Sequence, residues 1–244
     1  MLAGIREILI ITTPEDQPSF RRLLSDGSDL GIRLTYAIQD TPRGLADAFI
    51  IGENFIEEAK VALILGDNIF HGRGLGSQLK SLTDVEGAAI FAYKVSDPNR
   101  YGIVEFGEDG KVLSIEEKPV IPKSRYAIPG LYFYDSSVVE IARKIQPSAR
   151  GELEITSINQ EYLKLGKLQT TVLERGTAWL DTGTFDSFNA ASNYVKVIEE
   201  RQGDKISCLE EIAWRNSWIS DKQLMNLAHK YRSNSYGSYL QQLI

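Results

Sequence analysis

The sequence predicts an α/β fold, and three observations carry that reading. Over the first two-thirds of the 244 residues, strand-like apolar runs alternate with helix-like stretches, a rhythm that predicts a mostly parallel sheet covered by helices. Within it, Val61–Leu65 is an unbroken apolar run that stops at Gly66-Asp67-Asn68. Runs this short suit a strand buried on both faces of a parallel sheet. The rhythm then changes: Ile103–Phe106 and Val112–Glu117 flank Gly107-Glu108-Asp109-Gly110, and the Asp-Gly pair marks a β-hairpin.

Taken in order, Glu7–Thr12 reads as a strand, Ser19–Leu24 as a short helix after Pro14 and Pro18, and Ile32–Ile38 as a second strand. Gly44–Ile56 is a helix, Val61–Leu65 the third strand, Gly74–Leu82 a helix and Ala88–Val95 the fourth strand. After the hairpin, Ala127–Tyr134 is a strand, Ser136–Ile145 and Thr156–Leu165 are helices, and Leu168–Leu173 returns as a strand. Phe185, Phe188, Ala191, Val195 and Ile198 recur at helical spacing, so Thr184–Arg201 is a long amphipathic helix that Gly203 can terminate. The tail from Cys208 reads as two or three short helices whose apolar contacts are Trp214, Trp218, Leu224, Leu227 and Leu240. The expected division is one domain over residues 1–203 with a helical extension, 204–244, packed on it.

Bulk properties narrow the function. A net charge of −6 argues against a nucleic-acid groove without excluding a nucleotide pocket. The single cysteine, Cys208, permits no intrachain disulfide and fits a reducing cytoplasm. Two histidines and one cysteine are too few for an expected zinc site. No apolar stretch reaches membrane-spanning length, and residues 1–15 do not read as a signal peptide.

Four segments carry chemistry. Asp67 follows an apolar run and lies at the expected carboxyl edge of the sheet, where open α/β folds bind ligands; a turn aspartate accounts for the segment as well. Trp179-Leu180-Asp181-Thr182-Gly183-Thr184 repeats the apolar-to-turn pattern, so Asp67 and Asp181 can converge on one Mg²⁺, which takes one or two carboxylates with phosphate and water. In Ile115-Glu116-Glu117-Lys118-Pro119 a carboxylate beside a lysine offers an acceptor for sugar hydroxyls and a cation for a phosphate, or simply a charged strand end. In Gln39-Asp40-Thr41-Pro42-Arg43-Gly44-Leu45-Ala46, Gln39 can hydrogen-bond a base edge and Gly44 can let a ligand approach the backbone. A turn and helix start explain the same residues.

In their common order, Gln39…Gly44-Leu45-Ala46, Leu65-Gly66-Asp67-Asn68, Tyr101-Gly102-Ile103-Val104, Glu116-Glu117-Lys118-Pro119, Gly130-Leu131-Tyr132-Phe133-Tyr134 and Trp179-Leu180-Asp181-Thr182-Gly183 closely resemble the glucose-1-phosphate thymidylyltransferase family of sugar nucleotidyltransferases. Ser148-Ala149-Arg150-Gly151-Glu152-Leu153-Glu154-Ile155-Thr156 is similar to that family too, and the resemblance runs from Gly4 to the C-terminus. It implies a Rossmann-like three-layer nucleotidyltransferase fold with a mixed, mostly parallel sheet and C-terminal helices. It also implies Mg²⁺-dependent transfer from dTTP to glucose 1-phosphate, giving dTDP-glucose for deoxysugar pathways and pyrophosphate. By motif, Asp67 and Asp181 would hold the metal, and Gln39 with the Gly44 backbone would read thymine. Gly102, Glu117 and Tyr132 would hold glucose, and Lys118 with Arg150 its phosphate. The family is tetrameric, which implies a homotetramer here.

The family's first strand and its loop of the form G-G-x-G-T-R-L-x-P, with the arginine and following lysine that act on the transferred phosphoryl, have no counterpart in these residues, so no catalytic residue is assigned. Met1-Leu2-Ala3-Gly4-Ile5-Arg6-Glu7 matches the end of the family's first helix and its second strand. The expectation is a chain truncated at its first strand, or begun at an internal methionine, with two internal strand edges left unpaired and low turnover. Two further readings are a catalytically inactive sugar-phosphate-binding or regulatory fragment, and a related enzyme using UTP or another hexose 1-phosphate.

Overall fold

The computed structural model describes residues 1–244. Its first half runs β1 (Glu7–Thr12), α1 (Gln17–Leu24), β2 (Arg33–Ile38), α2 (Asp47–Ile51), α3 (Glu53–Ile56), β3 (Val61–Ile64), β4 (Asn68–His71), α4 (Leu75–Ser81), β5 (Ala88–Lys94), β6 (Gly102–Phe106) and β7 (Val112–Glu117). The second half runs β8 (Tyr126–Ala127), β9 (Leu131–Tyr134), α5 (Val138–Lys144), α6 (Ile155–Lys164), β10 (Leu168–Val172), β11 (Ala178–Asp181), α7 (Phe185–Gln202), α8 (Leu209–Arg215), α9 (Asp221–Lys230) and α10 (Ser235–Gln242). These elements form two compact units, one of Met1–Ile38, Leu75–Lys80 and Thr184–Ile244, the other of Gln39–Gly74 and Ser81–Gly183.

The second unit is built on a seven-stranded sheet in the order β3-β9-β5-β8-β6-β7, with β10 also paired to β5. It is mixed, as expected, but antiparallel pairs dominate where the βα rhythm pointed to parallel ones. β9 runs antiparallel between β3 and β5, and within this sheet only β10 lies parallel to β5. Strand alternation splits its side chains between two faces. On one, Ile90, Val104, Tyr132 and Tyr134 pack under α2, α5 and α6, with Phe49 meeting Tyr134 edge-on at 5.3 Å. On the other, Ile103 and Ala127 pack with Trp179 and Phe70 of a separate antiparallel ribbon, β4–β11.

Three elements differ from expectation. β3 is not buried on both faces: β9 is its partner, and Ile64 is 58% exposed. The expected strand over 127–134 breaks at Ile128-Pro129-Gly130, because proline has no N–H for the ladder. The Gly130 N–H turns instead to Asn68 Oδ1 at 3.1 Å. The expected helix over 44–56 is two short helices parted at Gly52, a residue of low helix propensity.

In the first unit β1 pairs in parallel with β2 alone, so each of the two carries one unpaired edge. Helix α7 starts on a Thr184–Ser187 capping box and ends at Gly203 with φ +81°, as its sequence pattern requires. Its apolar stripe, however, buries only Ala191 and leaves Phe185 97% exposed. The tail helices pack as expected, Leu224, Leu227 and Leu240 being buried among Trp214, Trp218, Met1 and Leu30.

Candidate functional site

All nine residues singled out from the sequence lie in the second unit. Asp67 is exposed on the turn between β3 and β4 rather than on the strand end itself. Its backbone carbonyl accepts the Thr182 N–H (2.8 Å) and the Thr182 hydroxyl (2.9 Å), which ties this turn to the one following β11. Asn68 donates to Asp67 Oδ1 at 2.6 Å, and its own Oδ1 accepts from Gly130 N–H and from Trp179 Nε1 at 2.6 Å. Asp181 ends β11 directly opposite Asn68. A Cβ added at Gly183 would lie 3.5 Å from Asp67 Oδ2 and 3.8 Å from Asp181 Oδ1, so the two carboxylates flank one point.

Two further groups meet Asp181. The Tyr101 hydroxyl donates to Asp181 Oδ2 at 2.6 Å, and the Arg100 guanidinium lies 3.5 Å from the same oxygen. Burial and then the hydrogen bond to the Asp181 carboxylate push the Tyr101 phenol well above its ordinary value, so it stays a donor. Tyr101, Trp179 and Asp181 line a cavity of about 230 Å³ with Tyr93, Lys94 and Asp97. No group of three or more metal-ligating side chains comes together, so a cation held by Asp67 and Asp181 would take its remaining ligands from substrate phosphate and water. On geometry and donor chemistry the pair fits a hard divalent ion.

A second cluster assembles where β6 faces β7. Gly102 pairs with Glu117 across the ladder, and a Cβ at Gly102 would press on Thr156 Oγ1 (3.1 Å) and Glu117 Oε2 (3.2 Å). The buried Thr156 donates its hydroxyl to Glu117. Tyr132 is 4% exposed on β9, and its phenol is raised by burial and then by the charge of Glu117. Lys118 is exposed and sits at φ +42°, a left-handed backbone that a β-carbon disfavours and that turns the chain at this edge. Arg150 lies on the loop before α6, donating to Glu152 at 2.7 Å and facing Glu154 at 3.4 Å.

The third cluster is the 39–47 loop. Gln39 Nε2 donates to Asp47 Oδ2 at 2.9 Å and to the Gly44 carbonyl at 3.4 Å. Gly44 has φ +110°, and a Cβ there would lie 2.4 Å from the Leu153 carbonyl oxygen. Its glycine is thus required by close packing against the 148–154 loop, a reason the sequence did not reveal. Thr156, Tyr101, Asn68 and Asp47 are the members of these clusters that sequence reasoning passed over; Thr156, Tyr101 and Asn68 stood inside quoted motifs, but nothing in their spacing marked their partners.

With the sheet, the paired aspartates and these clusters described, comparison with known proteins is decisive. The nucleotidyl transferase family pattern matches residues 1–197. The chain belongs to the nucleotidyl transferase family. A glucose-1-phosphate thymidylyltransferase of Mycobacterium tuberculosis (strain H37Rv) is 58% identical over 244 residues, all of this chain and 85% of the relative. One from Neisseria meningitidis is 54% identical with the same shares covered. Among solved structures, a Bacillus anthracis protein assigned as a glucose-1-phosphate thymidylyltransferase, in complex with sucrose, superposes with a TM-score of 0.70 at 38% identity, covering 79% of this chain and 77% of that one. A UDP-glucose pyrophosphorylase complexed with UDP-glucose, 23% identical with a TM-score of 0.67, shares the fold over 80% of this chain and 82% of its own. Sugar nucleotidyltransferases as a family use a divalent metal. No helix here is long and apolar enough to cross a membrane.

Proposed function

We propose that this chain serves thymidylyl transfer from dTTP to glucose 1-phosphate, giving dTDP-glucose and pyrophosphate, with Mg²⁺ between Asp67 and Asp181. One observation carries the reading. Consecutive residues entering β6 join the two halves of such a site: Tyr101 hydrogen-bonds Asp181, and Gly102 faces Glu117 and Thr156. A sugar phosphate held at Glu117 and Gly102 therefore has its phosphate directed along the sheet end towards the aspartates.

In this reading a phosphate oxygen of glucose 1-phosphate attacks the α-phosphorus of dTTP, the α–β phosphoanhydride bond breaks, and pyrophosphate leaves with its electron pair. Glu117 accepts from sugar hydroxyls, oriented by Thr156, and Tyr132 closes the apolar wall behind the ring. Lys118 and Arg150 offset phosphate charge, Arg150 exchanging its Glu152 partner for the phosphate. Gln39 and the Gly44 backbone hold the base. Mg²⁺, when bound, neutralises phosphate charge and helps align the phosphoryl group for in-line displacement. The positioning of two substrates on one rigid sheet end supplies much of such catalysis. We further place the protein in the cytoplasm as a homotetramer; the single buried cysteine and the exposed apolar residues of α7 support that placement.

The test is product identity. Incubation with dTTP, glucose 1-phosphate and Mg²⁺ yields dTDP-glucose by mass spectrometry, even where turnover is slow. Calorimetry showing glucose 1-phosphate binding without dTTP binding would overturn the proposal in favour of a sugar-phosphate-binding protein.

A further inference from the structure

Asp47 is a carboxylate that is only 1% exposed, and its partners all belong to the 39–47 loop. Arg43 reaches it twice, Nη2 at 3.0 Å from Oδ1 and Nε donating to Oδ2 at 3.2 Å. The third contact is the Gln39 amide, donating from Nε2 at 2.9 Å. Both carboxylate oxygens face the Arg43 guanidinium, which only donates, so Asp47 Oδ2 is an acceptor and admits one orientation of that amide, NH₂ towards Asp47. The nitrogen's other contact is the Gly44 carbonyl at 3.4 Å. With both amide hydrogens turned into the loop, the group Gln39 can offer a ligand is Oε1, an acceptor.

From this geometry we infer that Asp47 is the positioning residue that sets base selectivity by locking Gln39 as an acceptor. The inference rests on the reading of Gln39 as a base contact. A fixed acceptor matches a pyrimidine that carries a hydrogen at N3, as thymine and uracil do. It opposes cytosine, whose N3 is itself an acceptor. A Gln39 free to turn its amide over would serve either base. Arg43 holds the carboxylate in place, and Asp47 contributes no atom to the ligand.

The experiment measures the affinities of the full chain for dTTP and dCTP by calorimetry with Mg²⁺, alongside glucose 1-phosphate. In Asp47→Ala the dTTP-to-dCTP affinity ratio falls about tenfold, as expected for losing the orientation of one hydrogen bond to the base, while glucose 1-phosphate affinity is unchanged. Asp47→Asn, which keeps the shape and serves if the alanine variant does not fold, lowers the ratio by a smaller factor of about three, because its own amide can present either group. An unchanged ratio in the folded variant, with both nucleotides weakened equally, would overturn the inference and leave Asp47 a structural residue. Gln39→Leu separates the premise. If it preserves the ratio, Gln39 does not read the base and the premise falls with the inference. If it removes the ratio while both Asp47 variants retain it, the base-reading assignment stands and the role of Asp47 alone is refuted.

Discussion

Gly44→Ala is the sharpest probe of how the 39–47 loop is held. The residue sits at φ +110°, outside the conformations that a β-carbon tolerates well, and its Cβ would fall 2.4 Å from the Leu153 carbonyl oxygen and 2.6 Å from the Leu153 nitrogen. Both obstacles are backbone, so no side chain can swing away. Relief requires the 39–47 loop to part from the 148–154 loop. That movement breaks the bonds Ala46 N–H to Leu153 O (3.0 Å) and Leu153 N–H to Arg43 O (2.7 Å). Backbone strain of about 1–3 kcal/mol and two hydrogen bonds near 1 kcal/mol each place the loss at about 3–5 kcal/mol, a large part of a typical domain's stability. Gly166→Ala is the matched control. It has φ +68° and open space around its Cβ, so only the left-handed backbone is penalised, by about 1 kcal/mol. Urea denaturation of both variants measures the difference, and nucleotide calorimetry on folded Gly44→Ala should show dTTP affinity reduced more than tenfold, since Gln39 and Asp47 move with the loop. If the two variants lose equal stability, the close approach to Leu153 is not what demands glycine.

Other consequences can be checked independently. Asp67→Asn and Asp181→Asn each remove most of the Mg²⁺ dependence of dTTP binding, with little effect on binding measured without metal; a variant that keeps its Mg²⁺ dependence is not a ligand. Thr156→Val deprives Glu117 of its hydroxyl donor and lowers glucose 1-phosphate affinity about tenfold, as a hydrogen bond to a charged group warrants, while dTTP affinity in calorimetry holds. Burial raises the Cys208 thiol above its ordinary value of 9.0, so the unfolded chain ionises first as pH rises. Its contribution to stability is therefore whole below about pH 9 and declines above it. Denaturation midpoints at pH 7 and 10 test the sign, and a thiol reagent should label the native protein far more slowly than the unfolded one.

Much of this protein was legible in one dimension because the physics involved is local. The Glu7–Thr12 strand, the 103–117 hairpin about its Asp-Gly turn, and α7 between Thr184 and Gly203 follow from apolar period, caps and turn residues, and each formed within a residue or two of its expected bounds. The candidate site residues also stood out, since an aspartate that stops an apolar run is unusual enough to mark. Pairing was not legible. Ala178–Asp181 and Asn68–His71 carry no strong strand signal, and they become a ribbon only because Trp179 and Phe70 find Ile103 and Ala127 across the sheet. Nor could spacing reveal that Tyr101 meets Asp181 80 residues on, or that Thr156 meets Glu117 39 residues back.

The sequence by itself thus determined the fold class and, through the resemblance of its ordered motifs, the family, and it marked the residues proposed to meet phosphate, metal and sugar. Only the tertiary structure decided which atoms face each other: the two aspartates about Gly183, Glu117 beneath Gly102, and the Gln39 amide turned by a buried carboxylate. The reason is that propensity and periodicity act over a few neighbouring residues, whereas hydrogen-bond direction and close backbone approach depend on segments brought together by burial of the core.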